Sequence, residues 1–273
     1  MVSQEQRRRQ LAREKFLRQQ QRRTAARRRT HARNAVIASV LGVVVVGSVV
    51  SYATGVFKND DKKTNAGAEV TPSPSAPSKA PDPCKKAAPG KMESLSWKKE
   101  PAVTIDKSAD YAMKLATTCG DIDVDLKTAA APHTVNSFNF LAGKGFFDHT
   151  KCHRLVTKNI YVLQCGDPQG TGSGGPGYTI PDENLKDKNL KGGIYPAGTV
   201  AMANTGQKHT GGSQFFLVYR DSQLPPNYTP FGTISKSGMT VLKKIAAAGE
   251  SSGQGDGAPN ATVVINKLTV TKS

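Results

Sequence analysis

The sequence predicts a mainly β protein, a closed barrel plugged by two α-helices and preceded by one transmembrane helix. Three observations carry this expectation. From Ala35 to about Phe57 the chain has no charged residue at all. Residues 58–91 alternate Pro with small polar residues, as in Thr71-Pro-Ser-Pro-Ser-Ala-Pro, a composition that favours extended chain and cannot bury a core. From about Met92 onward, short β-rich segments are separated by Gly- and Pro-rich turns, and only two segments carry helical spacing. Many short strands with two helices point to a barrel with plugged ends.

Residues 1–34 carry 12 of the 38 Lys and Arg against only Glu5 and Glu14, which is +10 of the net +17. The basicity therefore belongs to a tail, and the remaining +7 is spread over the rest of the chain. The uncharged run of residues 35–57 matches the roughly 20 residues a helix needs to cross the hydrocarbon core. It is longer than the ~7–15 residues of a cleaved signal's apolar region, so it reads as a signal anchor. Arginines on its N-terminal side keep that end in the cytoplasm. The chain is thus expected to be a single-pass membrane protein with everything after Phe57 outside. The tail sets topology, and anionic lipid is its candidate partner, at about 1 kcal/mol per basic residue; nucleic acid is not expected there.

The folded domain is expected over 92–273. Tyr111–Thr118 breaks at Cys119-Gly120-Asp121, and Ile122–Leu126 alternates afterwards, which predicts a hairpin. Thr134–Ala142 places Val135, Phe138 and Leu141 at helical spacing behind Pro132, a short helix. Strands are expected at 152–156, 161–164, 198–203, 214–218 and 263–270. A second helix is expected from Val241, ended by Gly249.

All four cysteines, Cys84, Cys119, Cys152 and Cys165, lie beyond the apolar run, where an even number is free to oxidise. A turn centred near Lys158 and Asn159 would set Cys152 across from Cys165. That pair is expected as a disulfide, and Cys84 with Cys119 as another that ties the linker to the barrel. Four free thiols are the alternative, because cross-strand geometry can forbid the bond. His133, His149, Cys152, His153 and Cys165 are ligand types suited to zinc, but their spacing fits no usual structural site. No metal and no cofactor is expected. Gly166–Gly177 resembles a phosphate loop only superficially, since no Gly-Lys-Ser/Thr closes it, and reads as a long surface loop.

One arginine, Arg154, lies among aromatic and amide residues with no Ser/His/Asp arrangement beside it. It would act as a positioned cation, which suits a reaction that only twists a bond. Six motifs follow in series: His153-Arg154, Gln164-x-Gly166-Asp167, Gly170-x-Gly172-x-Gly174, Met202-Ala203-Asn204, Gly212-Ser213-Gln214-Phe215-Phe216 and Thr229-Pro230-Phe231-Gly232. Over about Tyr111 to Val270 they resemble a cyclophilin-type peptidyl-prolyl cis-trans isomerase. The resemblance implies an eight-stranded antiparallel barrel capped by two helices, and proline-containing peptides and unfolded secreted proteins as partners. It implies Arg154 as the catalytic donor, with Gln164 through its side chain and Asn204 through its backbone holding the peptide around the twisting bond. Tyr161, Val162, Phe216 and Leu224 would form the apolar pocket for the proline ring. Ala203 and Gln214 would line the groove beside it, and Tyr228 stands where the family usually has histidine. Phe215 and Phe216 must face opposite sides of their strand, by period two.

The stretch from Leu155 to Leu163 is two residues longer than the common family form and lacks its Pro-Gly turn. The place of Tyr161 therefore rests on counting back from Gln164. A tethered external domain and an Ala-, Gly- and Arg-rich composition suit an actinobacterial branch, working as a monomer. The expected function is isomerisation of X-Pro bonds to assist folding of extracytoplasmic proteins. The alternative is a prolyl-peptide binding module or chaperone on the same fold with little turnover.

Overall fold

The computed structural model describes residues 81–273. The basic tail, the apolar run 35–57 and the linker up to residue 80 lie outside the described residues. The predicted hairpin forms as β1 (Tyr111–Thr117) and β2 (Gly120–Leu126), in register from Tyr111↔Leu126 to Thr117↔Gly120. Alternation buries Met113 and Leu115 from one strand and Ile122 and Val124 from the other. Gly120, at φ 129, supplies the turn conformation that a side chain would strain.

The first helix, α1 (Pro132–Gly143), starts two residues before Thr134. Its N-cap residue, Ala131, makes no side-chain cap bond. Glu183 caps it instead, across about fifty residues of sequence: its carboxylate accepts from the backbone N–H of His133 at 3.0 Å and of Thr134 at 2.9 Å. An anion is thus set at the positive end of the helix dipole. Val135, Phe138 and Leu141 are fully buried, as their spacing predicts. The second helix, α2 (Lys236–Ala247), starts five residues before Val241 because Ser235 caps it, its hydroxyl accepting from Gly238 N–H at 3.1 Å.

The remaining strands are β3 (Thr150–Lys151), β4 (Arg154–Val156), β5 (Val162–Cys165), β6 (Ile194–Tyr195), β7 (Thr199–Met202), β8 (Phe215–Val218), β9 (Ser222–Gln223), β10 (Pro230–Ile234), β11 (Asp256–Gly257) and β12 (Val264–Lys272). Ten of the twelve form one antiparallel sheet in the order β11-β4-β5-β8-β7-β10-β2-β1-β12-β3, and β6 pairs with β9. The ladder therefore counts ten strands where eight are expected, a curled sheet with two helices. The cause is a break in the strand predicted from Cys152 to Val156. Cys152 N–H turns to Val263 O at 3.0 Å, whereas His153 N–H turns to Gln164 O at 3.1 Å. One strand thus becomes β3 on the β12 side and β4 on the β5 side.

A ring cluster centred on Phe138 fills the main core: Phe147, Phe215 and Phe231 lie 5.2, 5.4 and 4.7 Å from it, centroid to centroid. Val156, Val162, Tyr195, Ala201, Phe216 and Val218 form a second, smaller cluster. The folded domain also begins earlier than Met92. Cys84 is joined to Cys119, Lys85 N–H donates to Thr118 O at 2.8 Å, and Asp82 accepts from Thr262 N–H at 3.0 Å. Residues 82–91, expected as linker, are bound to the domain because the disulfide and these bonds hold their backbone on it. Among the described residues no helix is long and apolar enough to cross a membrane.

Candidate active site

Sheet register builds the site. Arg154 on β4 lies opposite Gln164 on β5, Gln164 opposite Phe216 on β8, and Phe216 opposite Ala201 on β7. Residues directly opposite one another in an antiparallel sheet share a face and touch, so these four residues from four strands form one row. The next row, Val156, Val162 and Val218, continues the same apolar face. Phe215 points the other way into the main core, as period two requires.

The row opens into a cavity of about 160 Å³. Arg154, Gln164 and Asn204 stand at its polar side, and Val162, Phe216 and Leu224 at its apolar side, with Ala203 and Tyr228 completing the wall. The Tyr228 ring meets Phe216 edge-on at 5.5 Å. Beneath them Tyr195, fully buried, donates its hydroxyl to Tyr228 O at 2.8 Å. Burial pushes the Tyr195 phenol up to about 12, so it remains a neutral donor.

Arg154 is held from two sides. Its Nε and Nη2 donate to the two carboxylate oxygens of Asp256 at 2.7 and 2.6 Å, and Nη1 donates to Gln164 Oε1 at 3.1 Å. The chain of bonds continues: Gln164 Nε2 donates to Gln214 Oε1 at 2.8 Å, and Gln214 Nε2 to Gly174 O at 2.9 Å. A guanidinium has five N–H donors. Three are used here, leaving one on Nη1 and one on Nη2 for a ligand. The hydrogen bonds from Arg154 hold the Asp256 carboxyl below its usual range, and the same bonds raise the arginine further. His153, next in sequence, has its imidazole pushed down by burial, which favours the neutral ring.

Asn204 spends its side chain on structure: Nδ2 donates to Asn227 O at 2.8 Å, and Oδ1 accepts from Gly206 N–H at 2.9 Å. The Gly-rich loop is closed on itself. The buried Asp167 carboxylate accepts from the backbone N–H groups of Gln169, Thr171 and Gly172. Burial pushes that carboxyl up, but these bonds outweigh it and hold it below the usual range. Its N–H donors therefore serve the loop's own carboxylate and not a phosphate. A Cβ at Gly174 would collide with Asp167, which requires glycine there.

Tyr161 is a correction. It lies outside the cavity, under the Arg220 guanidinium at 3.3 Å and edge-on to Tyr219 at 5.8 Å. Ile160 lines the cavity in its place. The reason is alternation: with Val162 and Gln164 on the groove face, period two puts Ile160 with them and Tyr161 on the other side. The lengthened turn, with Asn159 at φ 67, delivers that register. All the other expected pocket residues are brought together, and Gln214 reaches the site through Gln164. Asp256 was not foreseen; it sits in a Gly- and Ser-rich stretch 102 residues from Arg154 and carries no local signal.

Two disulfides are formed, Cys84–Cys119 and Cys152–Cys165, and no cysteine is free. The second spans a diagonal pair, since the turn is centred on Asn159 and sets His153, not Cys152, opposite Cys165. It brackets Arg154 and Gln164 from behind. Among the described residues no three His, Cys, Asp or Glu side chains gather as a metal group.

Residues 112–270 match the family model described as cyclophilin type peptidyl-prolyl cis-trans isomerase/CLD. The "Probable peptidyl-prolyl cis-trans isomerase B" of Mycobacterium leprae is 47% identical over 213 residues, 75% of this chain and 68% of the relative. Its counterpart of Mycobacterium tuberculosis is 44% identical over 203 residues, 71% of this chain and 62% of the relative. Peptidyl-prolyl cis-trans isomerase B of Bacillus subtilis is 40% identical over 126 residues, 46% of this chain and 82% of the relative. The chain thus spans roughly two thirds of its mycobacterial relatives. With only three residues left after 270, those longer matches reach upstream of residue 112.

Proposed function

The chain belongs to the cyclophilin-type peptidyl-prolyl cis-trans isomerase family, and from that membership we propose that its domain turns X-Pro bonds in proteins folding outside the cytoplasmic membrane, with Arg154 as the catalytic residue. Rotation about an X-Pro bond faces a barrier near 20 kcal/mol because the nitrogen lone pair is shared with the carbonyl. A donor that hydrogen-bonds this nitrogen as the bond twists localises the lone pair and lowers the barrier. Arg154 needs no proton transfer to do so, since a guanidinium stays charged. The carrying observation is its geometry: a guanidinium with two N–H donors unused among the described residues lines a part-apolar cavity about large enough for one proline ring. Val162, Phe216 and Leu224 would take the ring, and Gln164 and the Asn204 backbone would hold the peptide on either side. Asp256 acts as a positioning residue, fixing the plane of the guanidinium through two parallel bonds.

Asp256→Asn should lower kcat/KM by roughly tenfold, mostly in kcat, because the guanidinium loses its alignment while the pocket is unchanged. The pH profile checks the cause. A lowered carboxyl keeps the clamp intact above the ordinary carboxylate pKa of ~3.9 and releases it only as pH falls through the lowered value. Wild-type activity should therefore fall on the acid side while the Asn variant loses that limb; identical acid limbs would refute the positioning role.

The sheet is read as a closed eight-stranded barrel. β3 and β4 are separated only by Cys152 and His153; taken as one strand, and leaving out the two-residue β11, they bring the ladder to eight and join its ends. The placement outside the membrane rests on residues 35–57 as an anchor and on the oxidation of all four cysteines, which suits an oxidising compartment. Protease added to intact cells should remove the domain and leave the N-terminal tail protected. A domain resistant in intact cells and recovered with free thiols would overturn this placement.

A further inference from the structure

Residues 82–110 precede the family segment, yet they form part of its substrate groove. Trp97 packs edge-on against Phe140 at 5.1 Å, and its backbone N–H donates to Pro176 O at 2.8 Å. The close approach needs Gly177, where a Cβ would press on Ser96 and Trp97. A few residues on, Asn136 binds the segment again: its carbonyl accepts from Thr104 N–H at 3.0 Å, and its amide donates to Pro101 O and Ala102 O. The three residues between these anchors, Lys98, Lys99 and Glu100, stand as one wall of a groove of about 980 Å³. The stretch from Gly172 to Thr179 lines the same groove beside them. Gln164, Ala203 and Asn204 line this groove and the 160 Å³ cavity alike, so the two are continuous.

Charge in this groove leans positive, with two lysines against one carboxylate. Lys98 and Lys99 are exposed and make no ion pair among the described residues. Glu100, the only carboxylate among the described residues lining the groove, is engaged with His133 Nδ1 at 2.7 Å. We propose that the segment upstream of the family domain makes this protein select client peptides carrying an acidic side chain a few residues from the proline, with Lys98 and Lys99 as the specificity-determining residues. The proposal rests on the isomerase reading for its substrate, a prolyl peptide lying across both cavities.

The test uses an Ala-Pro peptide series in which one Glu, Gln or Lys is moved through the flanking positions. At low salt, the best-placed Glu peptide should have kcat/KM about 3- to 10-fold above its Gln counterpart, as expected for two exposed ion pairs, with the Lys peptide below both. The advantage should shrink as salt is raised. In the Lys98→Gln/Lys99→Gln variant the Glu-to-Gln ratio should fall to about 1. Equal rates for all three peptides in the wild type, or a ratio that survives in the variant, would overturn the proposal. Titration calorimetry with the same peptides reads the preference without turnover. A Glu preference in binding with no turnover of any peptide would uphold this inference and sink the isomerase reading instead.

Discussion

Replacing Arg154 by Ala is expected to lower kcat/KM on an Ala-Pro peptide by roughly two to three orders of magnitude, the usual cost of removing a donor aimed at a developing charge. The fold should survive, because Arg154 is a part-exposed groove residue outside both apolar clusters and its partners, Asp256 and Gln164, remain solvated or bonded to Gln214. Arg154→Lys should recover little. A lysine keeps the charge but cannot hold both oxygens of Asp256 and Gln164 while presenting a donor to the groove. Exchange spectroscopy between the cis and trans peptide signals gives the rate directly. A loss smaller than about threefold would mean that Arg154 only binds, and would favour the prolyl-peptide binding module over the enzyme.

The second large effect belongs to the Cys152–Cys165 disulfide. Its sequence separation of 13 residues corresponds, on the chain-entropy model, to about 3 kcal/mol. In a domain of this size that converts to a fall in Tm of roughly 6–12 °C for the Cys152→Ser/Cys165→Ser variant. Both sulfurs are buried, Cys152 at 4% exposure and Cys165 at 0%, so hydroxyls in their place also lack solvent. The kinetic consequence follows from position. The bridge holds the strand break at Cys152–His153 against β5, and that break sets the register of Arg154 with Gln164. The variant should lose activity at temperatures well below its own Tm. A Tm within 2 °C of the wild type would show that the hydrogen bonds around the break suffice.

What could be read in the sequence was governed by period and spacing. Met113, Leu115, Ile122 and Val124 alternate, and the hairpin followed. Val135, Phe138 and Leu141 recur at helical spacing, and the helix followed. Period two separated Phe215 from Phe216, and the same rule applied to residues 160–164 would have chosen Ile160 over Tyr161 for the pocket. The start of α2 was missed although Ser235 lies three residues before Gly238; the glycine, which fits closely against Ile234 and Ile122, obscured the helical pattern.

The sequence by itself determined the kind of fold, because that depends on side-chain alternation, and the resemblance carried by its serial motifs pointed to Arg154 and to most of the residues that line the cavity with it. Only the tertiary structure decided how that arginine is held and what else reaches the groove. Asp256 meets Arg154 across 102 residues, Glu183 caps a helix across about fifty, and Lys98 enters the groove because Trp97 finds Phe140 and Pro176. Each of these contacts joins segments that carry no mark of one another. Their pairing is set by the sheet register and by the packing of the whole domain, which bring distant side chains within hydrogen-bond reach only after the chain has folded.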